Sequence, residues 1–478
     1  MVAYQGLTKL DWVRCGGKDC FDVPIHCPVR QTVVKKGLGL GLGFTPVGTL
    51  TCPYAASVKV EVGLGKTVAN GGHNMIITDV RTTLLTGPCT NDPFIRELRT
   101  LRSAAFIEIL TDGPLIGIGE TYAGYFCPET VPAIVDFFRP ILVGQTVDDI
   151  PELWKRMYQC GNFWCRVGLG TIVLNGIEAA LWDLKGKQLG LPVHALLGGA
   201  HHARLPAYAT GGPSNYPKEK LAKKIGHYFS RGFRGIKVAT GSYSPDTGWY
   251  SPMEPKEAAE FEADKIDFMR TQVGPEAWLM LDGHMGNSPG ATWTVEVALA
   301  AAKAVEPYNL FFFEEPLHYT DPWGYAELCR ATTTPIAGGE CLTAAYEWRV
   351  FAQEDSFDIG QPDASFTGGM GEFMKVAKMM ADRGRKIATH AWGAGGSLMQ
   401  NVHAGFAAPN TCILEIAPDY AGLHTDIIDG GLVMKDGYVL PPDRPGFGVV
   451  LTDEIKHRYP FQPGSGEFNS VPGKVLST

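Results

Sequence analysis

The chain has 478 residues, of which 45% are hydrophobic, and this is enough for a large core and for more than one domain. It carries 42 lysine and arginine residues against 50 aspartate and glutamate residues, so the formal net charge is −8 with no long run of one sign. This balance favours neither nucleic acid nor an anionic membrane as a partner, and an anionic substrate would need a metal ion or a few placed cations.

The eleven cysteines are scattered along the chain and form no Cys-x-x-Cys pair. Those in apolar stretches are typical of reduced, buried thiols, as at Cys329, Cys341 and Cys412. A zinc site remains an alternative for the four near the start, which are Cys15, Cys20, Cys27 and Cys52. The sequence shows no secretory signal and no apolar stretch long enough to span a membrane, so we expect a cytoplasmic protein.

The first segment, residues 1–74, contains the run Gly37-Leu-Gly-Leu-Gly-Leu-Gly43, which is too flexible for a strand and too short for a membrane helix. We expect a poorly ordered N-terminal extension there, with an artefact of gene prediction as the alternative. The pattern changes at Met75, where strand-like runs are followed by helical periodicity. Three strands (75–85, 104–110 and 115–122) and three helices (131–142, 150–158 and 171–189) predict an α+β domain over 75–200, completed by residues of about 425–478.

Short apolar strands then alternate with helices over residues 201–424. The strands are predicted at 205–210, 235–240, 278–283, 310–316, 335–340, 357–363, 386–391 and 412–417. This alternation predicts parallel βαβ units in an α/β fold, and closing them gives a barrel. An open doubly wound sheet is the competing architecture, but no Gly-x-Gly-x-x-Gly motif follows the first strand, which argues against a dinucleotide fold.

Chemically active side chains end most of these strands, namely Asp282, Glu314, Glu340, Asp363, His390 and Glu415. The carboxyl ends of parallel barrel strands meet at one rim, so these groups should converge on one site. A single acid at such a position is often only a helix cap. Three acids on successive strands would repel one another without a cation, and oxygen ligands suit a hard ion, so the rim predicts a Mg²⁺ site.

Several motifs follow one another in a fixed order: Asn175-Gly-Ile-Glu-Ala-Ala-Leu-Trp-Asp, Leu281-Asp-Gly-His, Phe313-Glu-Glu-Pro, Gly338-Gly-Glu, Gln361-Pro-Asp and Thr389-His390. Over about residues 75–450 the chain resembles the mandelate racemase branch of the enolase superfamily. The resemblance implies a modified TIM barrel of (β/α)7β type with an N-terminal capping domain. It also implies Mg²⁺ as cofactor and Asp282, Glu314 and Glu340 as its ligands. Glu315 is expected to point away, because successive strand residues alternate faces.

The resemblance further implies that a base removes the α-proton of a carboxylate substrate while the metal stabilises the resulting enediolate. His390 would be this base, oriented by Asp363. Glu415 matches an acid that donates a hydrogen bond to the substrate carboxylate when protonated. Lys237 matches the first of two lysines on the second barrel strand, and we expect it to position the substrate carboxylate.

The chain departs from the racemases at Ala239, which replaces their second lysine, so racemisation with one base on each face is disfavoured. The Asp282-Gly-His284 sequence resembles galactonate and mannonate dehydratases, in which this histidine protonates the departing β-hydroxyl. We therefore expect a dehydratase of an aldonic or aldaric acid that gives a 2-keto-3-deoxy acid. A cycloisomerase or epimerase using the same metal and His390 is the first alternative, and a non-catalytic barrel protein is the second.

The capping domain is expected to supply substrate contacts, with Tyr122, Tyr125 and Arg102 as candidates, and Trp392, just after His390 in the barrel, could also pack against the substrate. Arg96, Arg99 and the aromatic residues Tyr243, Trp249 and Tyr250 of the loop 241–255 are further candidates. The only partner expected besides a small carboxylate substrate is a further copy of the chain, because this superfamily commonly forms homo-oligomers.

Overall fold

The computed structural model describes residues 75–96, 101–210, 217–241, 253–286, 293–419 and 421–465, which belong to one compact unit. The expectations for residues 1–74, for Arg99, for the side chain of Arg96 and for the aromatic residues of the loop 241–255 lie outside these residues. No helix of the described part of the chain is long and apolar enough to cross a membrane.

An antiparallel sheet of three strands, in the order β1-β2-β3, opens the described chain and confirms the predicted α+β arrangement. Its strands are β1 (Ile77–Pro88), β2 (Leu101–Thr111) and β3 (Ile116–Thr121). The helices associated with it are α1 (Pro93–Arg96), α2 (Ala123–Phe126), α3 (Val131–Leu142), α4 (Ile150–Gly161) and α5 (Leu169–Leu189). Gly117 and Gly119 of β3 let α5 pack closely, because a Cβ at either position would overlap its backbone.

Eight parallel strands form the second sheet, and pairing of the last with the first closes them into a barrel, which excludes the open doubly wound sheet. They are β4 (Leu205–Ala209), β5 (Gly235–Ala239), β6 (Trp278–Asp282), β7 (Phe312–Glu314), β8 (Ile336–Gly338), β9 (Ile359–Gly360), β10 (Lys386–Thr389) and β11 (Thr411–Ile416). A short hairpin, β12 (Met434–Lys435) and β13 (Tyr438–Val439), pairs with β4 outside the ring.

Within the described residues, seven α-helices connect the eight strands, so the predicted (β/α)7β arrangement is confirmed. In chain order they are α7 (Lys218–Ser230), α8 (Pro255–Val273), α9 (Val295–Ala304), α10 (Pro322–Ala331), α11 (Ala344–Glu354), α12 (Met370–Asp382) and α13 (Gly395–Ala407). The short helices α6 (Val193–Leu196) and α14 (Asp453–Arg458) precede and follow this series.

The chain returns to the small sheet after the barrel is complete. Pro460 forms a bridge with Leu85 of β1, and Thr86 N donates to Tyr459 O at 3.2 Å. Lys456 of α14 donates to both carboxylate oxygens of Glu108 on β2, each at 2.8 Å. The C-terminal residues therefore add contacts to strands that were formed at the beginning of the described chain.

Helix α5 holds the loop that follows β9 through buried polar side chains. Asn175 Oδ1 accepts from Gly368 N at 2.9 Å and from Gly369 N at 2.7 Å, while its Nδ2 donates to Ala364 O at 2.7 Å. Glu178 accepts from Met370 N at 2.5 Å, at the start of α12. These contacts give a physical reason for the polar residues within the otherwise apolar motif that begins at Asn175.

We expect Asn175→Ala to lower the free energy of unfolding by about 2–5 kcal/mol, since two buried backbone N–H groups would lose their acceptor. Urea unfolding followed by circular dichroism measures this loss. Asn162→Ala is the matched control, because Asn162 is exposed, and it should change stability by no more than about 0.5 kcal/mol. Equal losses in the two variants would contradict the proposed support of the loop by α5.

Candidate active site

An apolar layer inside the barrel lies directly below a layer of acids. Met280, Phe312 and Ile413 belong to a buried cluster within the ring. Each is followed two positions later by an acid, Asp282, Glu314 and Glu415 respectively, and these acids are at most 2% exposed. Residues two apart on a strand share a face, so the three carboxylates lie on the same inner face of the barrel as the apolar side chains, one layer closer to the rim.

Lys237 of β5 lies among these three acids and is itself 5% exposed. Its Nζ is 2.8 Å from Asp282 Oδ2, 2.8 Å from Glu314 Oε2 and 3.0 Å from Glu415 Oε1. Burial lowers the pKa of Lys237, but the three carboxylates outweigh burial and raise it well above the ordinary value. The lysine is therefore a fixed cation at the centre of the rim.

The carboxylates around this cation differ in their proton affinity. Burial and the adjacent Asp282 raise the pKa of Glu314 well above its ordinary range. Burial also acts to raise the pKa of Glu415, but Lys237 and His390 outweigh it and lower the value. The expected donor role of Glu415 requires a protonated carboxyl group, whereas this arrangement favours the ionised form, with its Oε2 accepting from Ala391 N at 2.7 Å.

His390 follows β10 and forms a buried pair with Asp363. The distance from His390 Nδ1 to Asp363 Oδ2 is 2.8 Å, and Nε2 lies 3.5 Å from Glu340 Oε2. Burial lowers the pKa of His390, but Glu340, the Asp363 hydrogen bond and Glu415 raise it to about 10. The other Asp363 oxygen accepts from Ser365 N at 2.6 Å and from Asn401 Nδ2 at 2.8 Å, which fixes the carboxylate.

His284 lies on the opposite side of the ring, since β6 and β10 are the third and seventh of its eight strands. Its backbone has φ +46°, and its N–H donates to Asp282 Oδ1 at 3.2 Å. Its Nε2 is 3.3 Å from Asp282 Oδ2, and its side chain is 35% exposed, compared with 9% for His390. The rim thus carries one buried and one accessible imidazole, each beside an aspartate.

The expectation that Glu315 points away from the site is wrong. Strand β7 ends at Glu314, and Glu315 adopts φ +38°, so the alternation of faces along the strand no longer applies. One oxygen of Glu315, one oxygen of Glu340 and the sulfur of Cys341 lie within 4.8 Å of one another. Asp282 and Glu314 instead turn towards Lys237. The three predicted Mg²⁺ ligands, Asp282, Glu314 and Glu340, therefore share one rim, but among the described residues the closest group of potential metal ligands is Glu315, Glu340 and Cys341.

The charge of the rim fits a divalent cation. The rim carries six carboxylates (Asp282, Glu314, Glu315, Glu340, Asp363 and Glu415), against three potential cations in the described residues nearby, Lys237, His390 and His284. Both oxygens of Glu315 are buried without a hydrogen-bond partner in this part of the structure. Unpaired buried carboxylates are unfavourable, and oxygen ligands of this kind suit Mg²⁺, so the residues present fit such an ion.

The four proposed substrate contacts form one connected group beside His390. The Tyr122 ring lies 5.7 Å from the His390 ring, and Trp392 Nε1 donates to Tyr125 Oη at 3.0 Å. The guanidinium of Arg102 lies 5.0 Å from the Tyr125 ring and 4.9 Å from the Trp392 ring. Arg102 is only 1% exposed and donates to Gly393 O at 2.8 Å, so it is placed to hold the Trp392 loop rather than to meet a substrate.

Sequence reasoning missed three residues of the site. Gln361 Nε2 donates to Glu314 Oε2 at 2.7 Å. Its position two residues before Asp363 could have indicated from the sequence that it belongs to the site. Glu315 and Cys341 lie beyond the ends of their strands, where the strand period gives no information.

Comparisons with known proteins match both parts of the described chain. The family described as "Mandelate racemase / muconate lactonizing enzyme, N-terminal domain" matches residues 78–198, and the one described as "Enolase C-terminal domain-like" matches residues 220–455. An arabinonate dehydratase from Saccharolobus solfataricus is 30% identical over 357 residues, covering 74% of this chain and 89% of that protein.

Two further similarities bear on the chemistry. A 3,6-anhydro-alpha-L-galactonate cycloisomerase from Streptomyces coelicolor is 32% identical over 339 residues, covering 71% of this chain and 86% of that protein. A crystal structure of L-talarate dehydratase from Polaromonas sp. JS666, complexed with Mg and L-glucarate, is similar with a TM-score of 0.68. It is 28% identical, and the match covers 81% of this chain and 98% of that chain.

We expect Lys237→Met to lower the free energy of unfolding by about 3–5 kcal/mol in EDTA, because three buried carboxylates would lose their cation. The loss should shrink as the pH falls, since these acids then bind protons and no longer repel one another. Urea unfolding at several pH values measures both effects. The control is Lys218→Met, whose pair with Asp264 is 47% and 67% exposed and should contribute at most about 1 kcal/mol. Similar losses in both variants would contradict a central role for Lys237.

Proposed function

The chain belongs to the mandelate racemase and muconate lactonizing enzyme family of the enolase superfamily, and from this we propose that it is a Mg²⁺-dependent sugar acid dehydratase. Its substrate would be an aldonic or aldaric acid, and its product a 2-keto-3-deoxy acid. The observation that carries this proposal is the pair of imidazoles on opposite sides of one acidic rim, His390 beside Asp363 and His284 beside Asp282. Elimination of water needs one group to accept a proton and another to donate one.

His390 is the proposed general base for the α-proton. Its Nδ1 is engaged by Asp363, so Nε2 is the nitrogen directed at the site. A divalent cation held by Glu340 would offset the carboxylate charge that raises the pKa of His390, and would so favour the neutral imidazole that a base requires. The Ser365 and Asn401 contacts hold Asp363, and the Tyr122 ring packs against the imidazole. These contacts would hold the imidazole of His390 in one orientation, and removal of a proton from carbon requires a base in a defined orientation.

His284 is the proposed general acid for the departing β-hydroxyl. It is the more accessible of the two imidazoles, and Asp282 is placed to hold its ring by an ion pair when it is protonated. Ala239, at the end of β5, offers no second base on the rim. A single base and a separate acid support elimination over racemisation.

Asp282, Glu314 and Glu340 are the proposed ligands of Mg²⁺. When bound, this ion would neutralise the negative charge that develops on the substrate carboxylate as the α-proton leaves. Lys237 would add a positive charge for the substrate carboxylate, and Glu415 would hold Lys237 in place. We keep Tyr122, Tyr125 and Trp392 as proposed substrate contacts, and assign Arg102 to positioning Trp392.

A cycloisomerase is the second candidate, because a relative with this activity is 32% identical. It would use the same metal site and His390, but it would need no acid for a departing hydroxyl group. The two candidates therefore differ in their dependence on His284.

We expect the purified protein to convert at least one acid in a library of aldonic and aldaric acids when Mg²⁺ is present, and to lose this activity in EDTA. Semicarbazide detects the 2-keto-3-deoxy product.

His390→Asn should reduce both product formation and exchange of the α-proton with deuterium by about 10²–10⁴-fold. His284→Asn should reduce product formation to a similar extent while α-proton exchange, followed by NMR in deuterium oxide, continues.

His201→Asn is the matched control, because His201 is exposed and precedes β4, at the end of the barrel away from the rim. It should leave both rates unchanged. Normal formation of the 2-keto-3-deoxy product by His284→Asn would remove His284 from the role of acid. Exchange of the α-proton without this product from any acid would overturn the dehydratase assignment in favour of the cycloisomerase. Retention of exchange in His390→Asn would remove His390 from the role of base.

A further inference from the structure

A thiol lies beside the acidic rim, at Cys341, directly after Glu340. We propose that Cys341, Glu340 and Glu315 form a subsite for a thiophilic divalent cation such as Zn²⁺. This subsite shares Glu340 with the proposed magnesium site, but it does not depend on the dehydratase activity. The distinguishing ligands are Cys341 and Glu315, neither of which is assigned to Mg²⁺.

The spacing of the three side chains suits a single ion. One potential ligand atom from each residue lies within 4.8 Å of the other two. Zinc binds oxygen at about 2.1 Å and thiolate sulfur at about 2.3 Å, so two ligands of one ion lie at most about 4.4 Å apart. Small side-chain rotations would therefore bring all three atoms to one cation.

Glu315 provides an independent reason to expect a ligand at this place. Its side chain is 1% exposed, and neither carboxylate oxygen has a hydrogen-bond partner in the described residues. Its backbone, at φ +38°, departs from the strand conformation and directs the carboxylate to Glu340 and Cys341. A buried carboxylate is stabilised by a hydrogen bond or by a cation, and only the second is compatible with these neighbours when all are ionised.

The donor set determines which class of cation binds. Magnesium prefers oxygen ligands, whereas a thiolate favours softer ions, of which zinc is the common biological example. Binding would release the thiol proton of Cys341 to solvent as the metal–sulfur bond forms. Because Glu340 is shared, occupation of the subsite should weaken Mg²⁺ binding.

Cobalt(II) is a spectroscopic probe for such a zinc site, because thiolate ligation gives a charge-transfer absorption in the near ultraviolet. We expect the full-length, EDTA-treated protein to develop this absorption on titration with Co²⁺, saturating at one ion per chain. Cys341→Ser should abolish it. Cys329→Ser is the matched control, a half-buried thiol in α10 whose sulfur contacts Ser356 O at 3.3 Å, and it should retain the full band.

Glu315→Gln should weaken Co²⁺ binding by at least about 10-fold, because even loss of an outer ligand contact has an effect of this size. Circular dichroism of each variant verifies that it is folded, and Cys341→Ala replaces Cys341→Ser if the serine variant is not. A missing band, a band that survives loss of the Cys341 thiol, or an unchanged affinity in Glu315→Gln would each overturn the proposal.

Calorimetry with Mg²⁺ separates this inference from the proposed function. Mg²⁺ should bind Cys341→Ser as tightly as the unmodified protein, because the thiol is not a magnesium ligand. Added Zn²⁺ can compete for the carboxylates of either protein, but it should weaken Mg²⁺ binding more strongly where Cys341 is present. Absence of Mg²⁺ binding together with a Co²⁺–thiolate band would contradict the magnesium-dependent function and leave the subsite supported. A Zn²⁺ effect that is equal in both proteins would overturn the shared role of Glu340.

Discussion

The contacts of Lys237 are the interaction on which the rest of the rim depends. Its ammonium group joins acids from β6, β7 and β11, and β11 is the strand that closes the barrel against β4. Below it lies the apolar layer of the barrel interior, where an unpaired charge would be strongly disfavoured. The single positive charge of Lys237 therefore stabilises three carboxylates that lie close together at the rim of the barrel. Because the carboxylates outnumber this charge, negative charge remains for a metal ion to neutralise.

The small sheet determines how the loop after His390 is held. Glu120 of β3 accepts from Ala394 N at 2.7 Å and from Ser397 N at 2.8 Å, at the start of α13. Burial raises the pKa of Glu120 to about 7 despite these hydrogen bonds. Arg102 of β2 donates to the same loop, at Trp392 O and Gly393 O. The position of Trp392 therefore depends on the small sheet as well as on the barrel.

The barrel and most of its polar rim could be predicted from the sequence, because both follow from regular periods. Strands separated by helices predicted the closed sheet, and acids such as Glu314 fall where apolar strands end. Glu315 could not be placed correctly, because its orientation depends on a positive φ that the sequence does not reveal. Arg102 was assigned from its charge, whereas its burial depends on tertiary packing against Trp392.

The return of the C-terminal residues to the small sheet has a consequence for biosynthesis. Strand β1 is an edge strand, and on the side away from β2 its residues Leu85 and Thr86 contact Pro460 and Tyr459. A ribosome makes β1 long before these partners, so the nascent sheet keeps an uncovered edge while the whole barrel is translated. The described fold is therefore completed after translation of its last helix, and a chain terminated after β11 would leave that edge open to pairing with other chains.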